Sequence, residues 1–257
     1  MGLLTKHGRG MGWRPDKPDH RDFMYRDKRF KIERVKLPPK FSVDHADPPI
    51  WDQGSLGSCT SHGIAAALEF DRIKQKLKVF TPSRLFIYYN ERLIEGSVNE
   101  DAGAEIRDGI KSVASHGYAE EYLWPYDISK FTIKPNQQVY QNAQKFKALS
   151  YFRLNNGNLI ALKTCIAAGY PFVFGCTLYD SFYQADMNKG IVPMPGMEEP
   201  IGGHCMLAVG YDDATERFMI RNSWGTGVGD KGYYYMPYKY LTNTNLSDDF
   251  WTIRSVI

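Results

Sequence analysis

Apolar and polar positions recur along this chain with two different periods, and the change of period divides it. Between Cys59 and about Lys76, Ile64, Leu68, Ile73 and Leu77 fall at helical spacing with Ala65, Ala66 and Ala67 between them, while Glu69, Asp71, Lys74 and Lys76 fill polar positions. That pattern predicts an amphipathic helix. Thr81-Pro82 reads as a cap followed by proline at the first helical position, opening a second helix through about Leu93. Ala104–His116 turns Ile106, Ile110 and Val113 to one side and meets Gly117 as its stop, which predicts a third. Sparser helical patterns cover Asn136–Ala148 and Asn158–Ala168. After Pro171 the texture changes. Phe172–Leu178, Cys205–Tyr211, Phe218–Arg221, Tyr233–Met236 and Phe250–Val256 are short aromatic or β-branched runs divided by Gly, Asp and Asn, which are strand and turn signals. Helices first and strands later predict an α+β protein of two packed halves.

Residues 1–36 carry neither period. Their apolar anchors (Met11, Trp13, Phe23, Met24, Tyr25, Phe30) are scattered, and Pro15 and Pro18 break any helix. Leu37-Pro38-Pro39 then punctuates the chain, so we divide it into a leader, 1–36, and a body, 37–257. Charge follows the same division. The formal net charge of +3 combines a leader with 11 Lys+Arg and 5 Asp+Glu and a body with 21 and 24. Asp16, Asp19, Asp22 and Asp27 interleave the basic residues of the leader, which dilutes phosphate attraction and argues against a nucleic-acid partner.

Composition narrows the class without choosing a function. At 43% hydrophobic and 24% charged over 257 residues, the chain reads as globular, not disordered. No apolar run approaches the roughly 18–20 residues that span a bilayer, so no membrane partner is expected. The start lacks a signal-peptide pattern, which makes an intracellular location the default unless a signal has been removed. A monomer is expected. The four cysteines (Cys59, Cys165, Cys176, Cys205) are too few and scattered for a disulfide framework. Cys59/His62 and His204/Cys205 fit no usual zinc spacing, so neither a metal nor another cofactor is expected.

Candidate chemistry begins at Cys59. It ends the small-residue loop Gln53-Gly54-Ser55-Leu56-Gly57-Ser58 and opens the first predicted helix, where partial positive charge favours a thiolate. An inert buried cysteine is the plain alternative. His204 stands where Gly202-Gly203 enters the apolar strand Cys205–Tyr211; a hydrogen-bonded strand histidine would look the same. Asn222 opens Asn222-Ser223-Trp224-Gly225 after another strand. It reads either as a plain turn residue or as the acceptor that orients an imidazole.

Together these segments resemble the papain-like cysteine peptidases. The resemblance is carried by Gln53-Gly54 and Gly57-Ser58-Cys59, by His204 followed by Val209-Gly210-Tyr211, and by Asn222-Ser223-Trp224-Gly225 with Gly232-Tyr233 after it. His204 lies 145 residues beyond Cys59 and Asn222 163 beyond it, in the family's order. It covers about residues 37–257. The resemblance implies a two-lobed fold, with a helical lobe carrying the Cys and an antiparallel, barrel-like lobe carrying the His and Asn. It implies an endopeptidase acting on peptides or proteins. Cys59 would be the nucleophile and His204 the base and then the acid. Asn222 would orient the ring, and Gln53 would join the Cys59 N–H at the oxyanion. Trp224 would shield the His204–Asn222 bond. Gly57, Gly103, Ala104 and Gly203 would flank bound substrate, and Gly175 and Cys205 would help line the main specificity pocket, where an apolar side chain is expected.

The chain also departs from the family's pattern. Leu56 replaces a cysteine that forms a disulfide in secreted members, Thr60 an aromatic residue, and Val228 a second tryptophan. Relatives carry a larger helical pro-segment, which 36 residues with two prolines cannot form. The leader is therefore expected to be a short pro-segment lying extended in the cleft and limiting access. A non-catalytic peptide binder has no need of Gln53, Cys59, His204 and Asn222 together. A transglutaminase-like enzyme would not carry Asn222-Ser223-Trp224-Gly225.

Overall fold

The computed structural model describes residues 3–5, 8–25, 37–43 and 48–257. The leader contributes the two-residue strands β1 (Leu3–Leu4), β2 (Gly10–Met11) and β3 (Trp13–Arg14), and β4 (Lys40–Ser42) follows. Its anchor Phe30 lies outside the described residues.

The predicted first helix forms as α1 (Cys59–Lys74) and is buried along most of its length. The second, α2 (Arg84–Glu95), begins later than Thr81-Pro82 suggested. The cap is Ser83, whose Oγ accepts from the Phe86 N–H at 3.2 Å, because Pro82 is held in a β-bridge to Glu120. The third prediction is divided: Ala104–Glu105 form strand β5 and only Ile106–Ser115 form α3. Helical pattern yields there to pairing, since Ala104 and Glu105 align in parallel with Trp13 and Arg14 of the leader. Gly117 does end that region, with φ +80. Two capped helices follow, α4 (Gln137–Ala143) and α5 (Leu159–Ala167), with Asn136 and Asn158 accepting from Val139 and Ala161 N–H groups.

Between α4 and α5 runs β6 (Ala148–Leu154), a strand the sequence pattern did not announce. It lies at a sheet edge and buries only Ala148, Phe152 and Leu154, so its apolar signal is thin. The remaining elements are β7 (Phe172–Tyr179), α6 (Gln184–Met187), β8 (Pro200–Asp212), β9 (Arg217–Arg221), β10 (Tyr233–Pro237), α7 (Tyr238–Thr242) and β11 (Ser247–Val256). The sheet has the order β10-β9-β8-β7-β11-β6, with β4 joining β8, and all its pairings are antiparallel.

Two cores account for the lobes. Phe172, Phe174, Phe218, Tyr234 and Phe250 lead the strand-lobe core. A second core joins Ile64, Ala65 and Leu68 of α1 and Ile106 and Ile110 of α3 to Val173, Leu207, Val209 and Trp251 of the sheet. The N-terminus of α1 therefore meets β8 at the seam between lobes, and that contact brings Cys59 toward the strand that carries His204.

Candidate active site

The asparagine and the histidine come together as expected. His204 and Asn222 are both buried, at 0% and 3% exposure, and His204 Nε2 bonds Asn222 Oδ1 at 2.8 Å. Asn222 accepts, so Nε2 carries the proton and Nδ1 is the free acceptor. Nδ1 is buried and makes no hydrogen bond. The Trp224 ring stacks on His204 with centroids 4.5 Å apart and planes 25° apart, closing one side of the imidazole to water.

Gln53 is fixed from both ends. Its Oε1 accepts from Ser223 Oγ at 2.6 Å, and its Nε2 donates to Leu56 O at 2.8 Å and Gly10 O at 3.1 Å. Ser223, overlooked in the sequence because serine beside a turn asparagine is commonplace, thus orients the amide. Leu56 packs with Leu85 and Tyr88, a small apolar cluster where a disulfide would otherwise stand. All four cysteines are free and buried. Thr60 points away from the cleft and donates to the buried Glu91 at 2.6 Å, and Val228 is a core residue. Among the described residues, no three His, Cys, Asp or Glu side chains cluster in a way that would hold a metal ion.

The expected helix-stabilised thiolate is not the resting state of Cys59. Burial pushes its pKa up to about 12, against smaller lowering contributions from N–H groups of Cys205 and Gly12. Burial likewise lowers His204 to about 4, opposed by the bond to Asn222. Desolvation of a fully covered charge outweighs a helix terminus worth about 0.3–2 kcal/mol. The pair is therefore a neutral thiol and a neutral imidazole.

The cover is the leader. Arg9 lies over the Trp224 ring at 5.3 Å and pairs with Asp186 at 3.5 Å. The Gly10 N–H donates to Gly54 O at 2.9 Å. Gly12 accepts from the Ala104 N–H at 2.7 Å, and it packs so closely on Gly57 and Gly103 that a Cβ at either Gly12 or Gly103 would overlap backbone. The Trp13 ring lies against Gly175 and Gly203, where any side chain would collide with it. The leader residues Gly12 and Trp13 thus lie against Gly57, Gly103, Ala104, Gly175 and Gly203 in turn. Cys205 belongs to the core that also holds Trp13 and Cys59.

Beyond the groove, carboxyl and guanidinium groups hold the leader. Asp16 is buried: its Oδ1 accepts from the Arg107 N–H at 3.0 Å and its Oδ2 from Trp251 Nε1 at 2.9 Å, with Arg153 Nη1 3.4 Å away. Asp22 accepts from Arg107 Nε at 2.8 Å and Nη2 at 2.7 Å. Arg14 pairs with Glu95. Asp249, which the sequence reading passed over, receives Arg153 Nη2 at 2.7 Å, the Asp16 N–H at 2.7 Å and Trp13 Nε1 at 3.1 Å.

The sequence profile of the papain family of cysteine proteases matches residues 39–250. A peptidase-like protein of Acanthamoeba polyphaga mimivirus is 40% identical over 273 residues, covering 96% of this chain and 88% of that protein. The chain belongs to the papain family of cysteine proteases. As a member it is a thiol peptidase, a hydrolase. Xylellain, a cysteine protease from Xylella fastidiosa, superposes with a TM-score of 0.87 at 43% identity, covering 96% of this chain and 97% of that one. A procathepsin B of Trypanosoma congolense, at 16% identity and a TM-score of 0.76 over 98% of this chain and 88% of that one, shares the fold. Cysteine proteinase 1 of Entamoeba histolytica is 30% identical over 72% of this chain, which spans only 58% of that relative's length.

Proposed function

We propose that this papain-family peptidase is a cysteine endopeptidase that is held inactive by its own leader, residues 1–36, docked on the peptidase body, 37–257. The observation that carries the reading is the path of residues 9–14. They run from Trp224, past Gln53 and Cys59, to Trp13 against Gly175, on the ground a peptide substrate needs. The groove accepts chain on both sides of the nucleophile, which suits cleavage within a peptide. The leader escapes attack because it turns the Gly12 N–H toward the sulfur, and a nucleophile needs a carbonyl carbon there.

Lifting the leader returns water to the site, and both suppressed ionisations relax toward ordinary values. Cys59 then passes its proton to His204 Nδ1, and the thiolate gains the helix terminus. The thiolate attacks the substrate carbonyl. Gln53 Nε2, released from Gly10 O, and the Cys59 N–H hold the oxyanion, where one donor is worth about 10²–10³ in rate. His204 protonates the leaving amine, a thioester on Cys59 remains, and His204 deprotonates the water that hydrolyses it. Asn222 keeps Nε2 protonated throughout. The opened enzyme should show a bell-shaped rate profile bounded by the two ionisations of the Cys59–His204 pair.

The test uses the full chain carrying Gly12→Ala. The added Cβ collides with Gly57, and overpacking of about 1–3 kcal/mol lifts the leader roughly 10- to 100-fold more often. Hydrolysis of fluorogenic dipeptides and labelling by an epoxide inhibitor should rise together over the wild-type chain, and Cys59→Ala should abolish both. Unchanged rates in Gly12→Ala would defeat autoinhibition. Absence of labelling and hydrolysis in both forms would defeat the mechanism.

A further inference from the structure

We propose that Asp249 sets substrate preference. The pocket beside the nucleophile takes a flat aromatic side chain with a hydrogen-bond donor at its far edge, tryptophan above all, ahead of an equally large apolar ring or a cation. This rests on the peptidase reading above.

The occupant seen in the pocket shows its shape. The Trp13 ring is 8% exposed, and its indole lies flat on Gly175 and edges Gly203, where any Cβ would overlap it. These walls are backbone and suit a ring. The far end is different. Trp13 Nε1 donates to Asp249 Oδ2 at 3.1 Å, and Asp249 is fully buried. The carboxylate is aimed there by a break in the strand. The register of β11 against β7 shifts between Asp248 and Trp251, and Asp249 adopts φ 57. A bulge with a left-handed non-glycine residue is a costly way to place a side chain and commonly marks a functional position. The sequence alone suggested an apolar side chain for this region, and the apolar walls agree. The acceptor at the end adds a polar requirement.

Charge decides which donor fits. Asp249 Oδ1 is already paired with Arg153 Nη2 at 2.7 Å, a contact that Asp248 shares at 3.0 Å, and both Arg153 and Arg107, which lose Asp16 and Asp22 when the leader goes, stay with the body. The two groups that occupy Oδ2, the Asp16 N–H and Trp13 Nε1, both leave with the leader. The opened pocket therefore presents a charge-compensated carboxylate with one oxygen lacking a donor. A neutral N–H restores that bond. A phenyl or leucine side chain leaves the oxygen buried and unpaired, which costs about as much as the bond is worth. A substrate cation would give up its hydration to meet two carboxylates, Asp248 and Asp249, already balanced by Arg153 and Arg107, with the Arg153 guanidinium itself close by.

The experiment compares kcat/KM of the full-length Gly12→Ala chain on fluorogenic peptides that differ only in the pocket residue. That residue is tryptophan, 3-benzothienylalanine (the same shape with sulfur in place of N–H), phenylalanine or arginine, placed in turn at the two positions before the cleaved bond. At the position that fills the pocket, tryptophan should exceed benzothienylalanine by about 10- to 100-fold, the worth of a hydrogen bond to a charged acceptor, and should exceed arginine as well. Asp249→Ala should bring the tryptophan-to-benzothienylalanine ratio toward one. If that variant does not fold, the isostere comparison in the unaltered pocket still decides. Equal turnover of tryptophan and its isostere, or arginine above tryptophan, would overturn the proposal while leaving the peptidase mechanism intact. Failure of every peptide together with failure of Cys59 to label would remove the peptidase mechanism and this proposal together.

Discussion

The two ends of the leader's path are held in opposite ways. At the nucleophile, residues 10–12 make close backbone contact with Gly54, Leu56, Gly57 and Gly103, and the ionisable groups beneath are neutral. Only a few residues on, the carboxyl groups of Asp16 and Asp22 meet the guanidinium groups of Arg107 and Arg153 in a largely covered cluster. Shape seals the first end and charge the second. The contrast is useful because the two mechanisms respond to different perturbations. Backbone contact is insensitive to salt and feels pH only through the Cys59–His204 pair it covers, whereas a carboxylate cluster titrates directly.

The largest difference should come from substitution. In the full chain, Gly12→Ala should raise hydrolysis about 10- to 100-fold, because no rotamer relieves a Cβ against backbone. Asp16→Asn should raise it less, about threefold to tenfold, since the amide oxygen still accepts from one of the two donors on Asp16, the Arg107 N–H or Trp251 Nε1, and only the other bond is lost. An Asp16→Asn chain as active as Gly12→Ala would mean that charge, not shape, holds the whole segment.

The next effect is pH. Burial and the neighbouring Asp249 push Asp16 up to about 7 when the leader is docked, against lowering by the Arg107 N–H, while a free leader titrates near 3.9. The docked state therefore binds the extra proton between about pH 4 and 7. Through Asp16, docking is strongest in acid and weakens as pH rises through that window, by at most about tenfold per unit for one proton. His204, lowered to about 4 under the leader, acts in the opposite sense over much of the same range. The Asp16 contribution is therefore read as the ratio of wild-type to Asp16→Asn epoxide labelling, which should climb from pH 4 to 7 and then level. A ratio that falls over that range would reverse the assignment.

Salt should matter least. The pairs are buried, so screening touches them weakly, and raising ionic strength from 0.05 to 0.5 M should change the wild-type rate about twofold or less. A larger rise would show that the charged end spends much of its time open to solvent.

These contrasts also mark where sequence reading succeeded. Helix α1 and the strands after Pro171 follow local pattern, and α4 and α5 add Asn caps, so they were legible, although the helix expected over Asn136–Ala148 stops at Ala143 and β8 begins at Pro200, ahead of the expected Cys205. The groups expected to do the chemistry were legible because Gln53, Cys59, His204 and Asn222 each sit at a loop-to-element junction with a distinctive neighbourhood. Strand β6 was not, because only Ala148, Phe152 and Leu154 of it are buried and Leu149 and Tyr151 on the other face blur the alternation. The strand at Ala104–Glu105 hid inside a helical pattern, since it exists only through pairing with the leader. Asp249 gave little signal: an aspartate ahead of an apolar strand resembles any turn residue, and only the bulge turns it inward.

The sequence by itself determined the family, the order of the elements and the kinds of group that meet at the cleft, because caps, periods and junction motifs are local. It also showed a basic segment of irregular pattern ahead of a mildly acidic body. Tertiary structure decided what that segment touches and in which state the pair beneath it rests. Burial depends on what lies on top of a residue, and no local pattern records that. The same tertiary contacts placed a carboxylate at the end of an apolar pocket, 236 residues from the tryptophan that fills it.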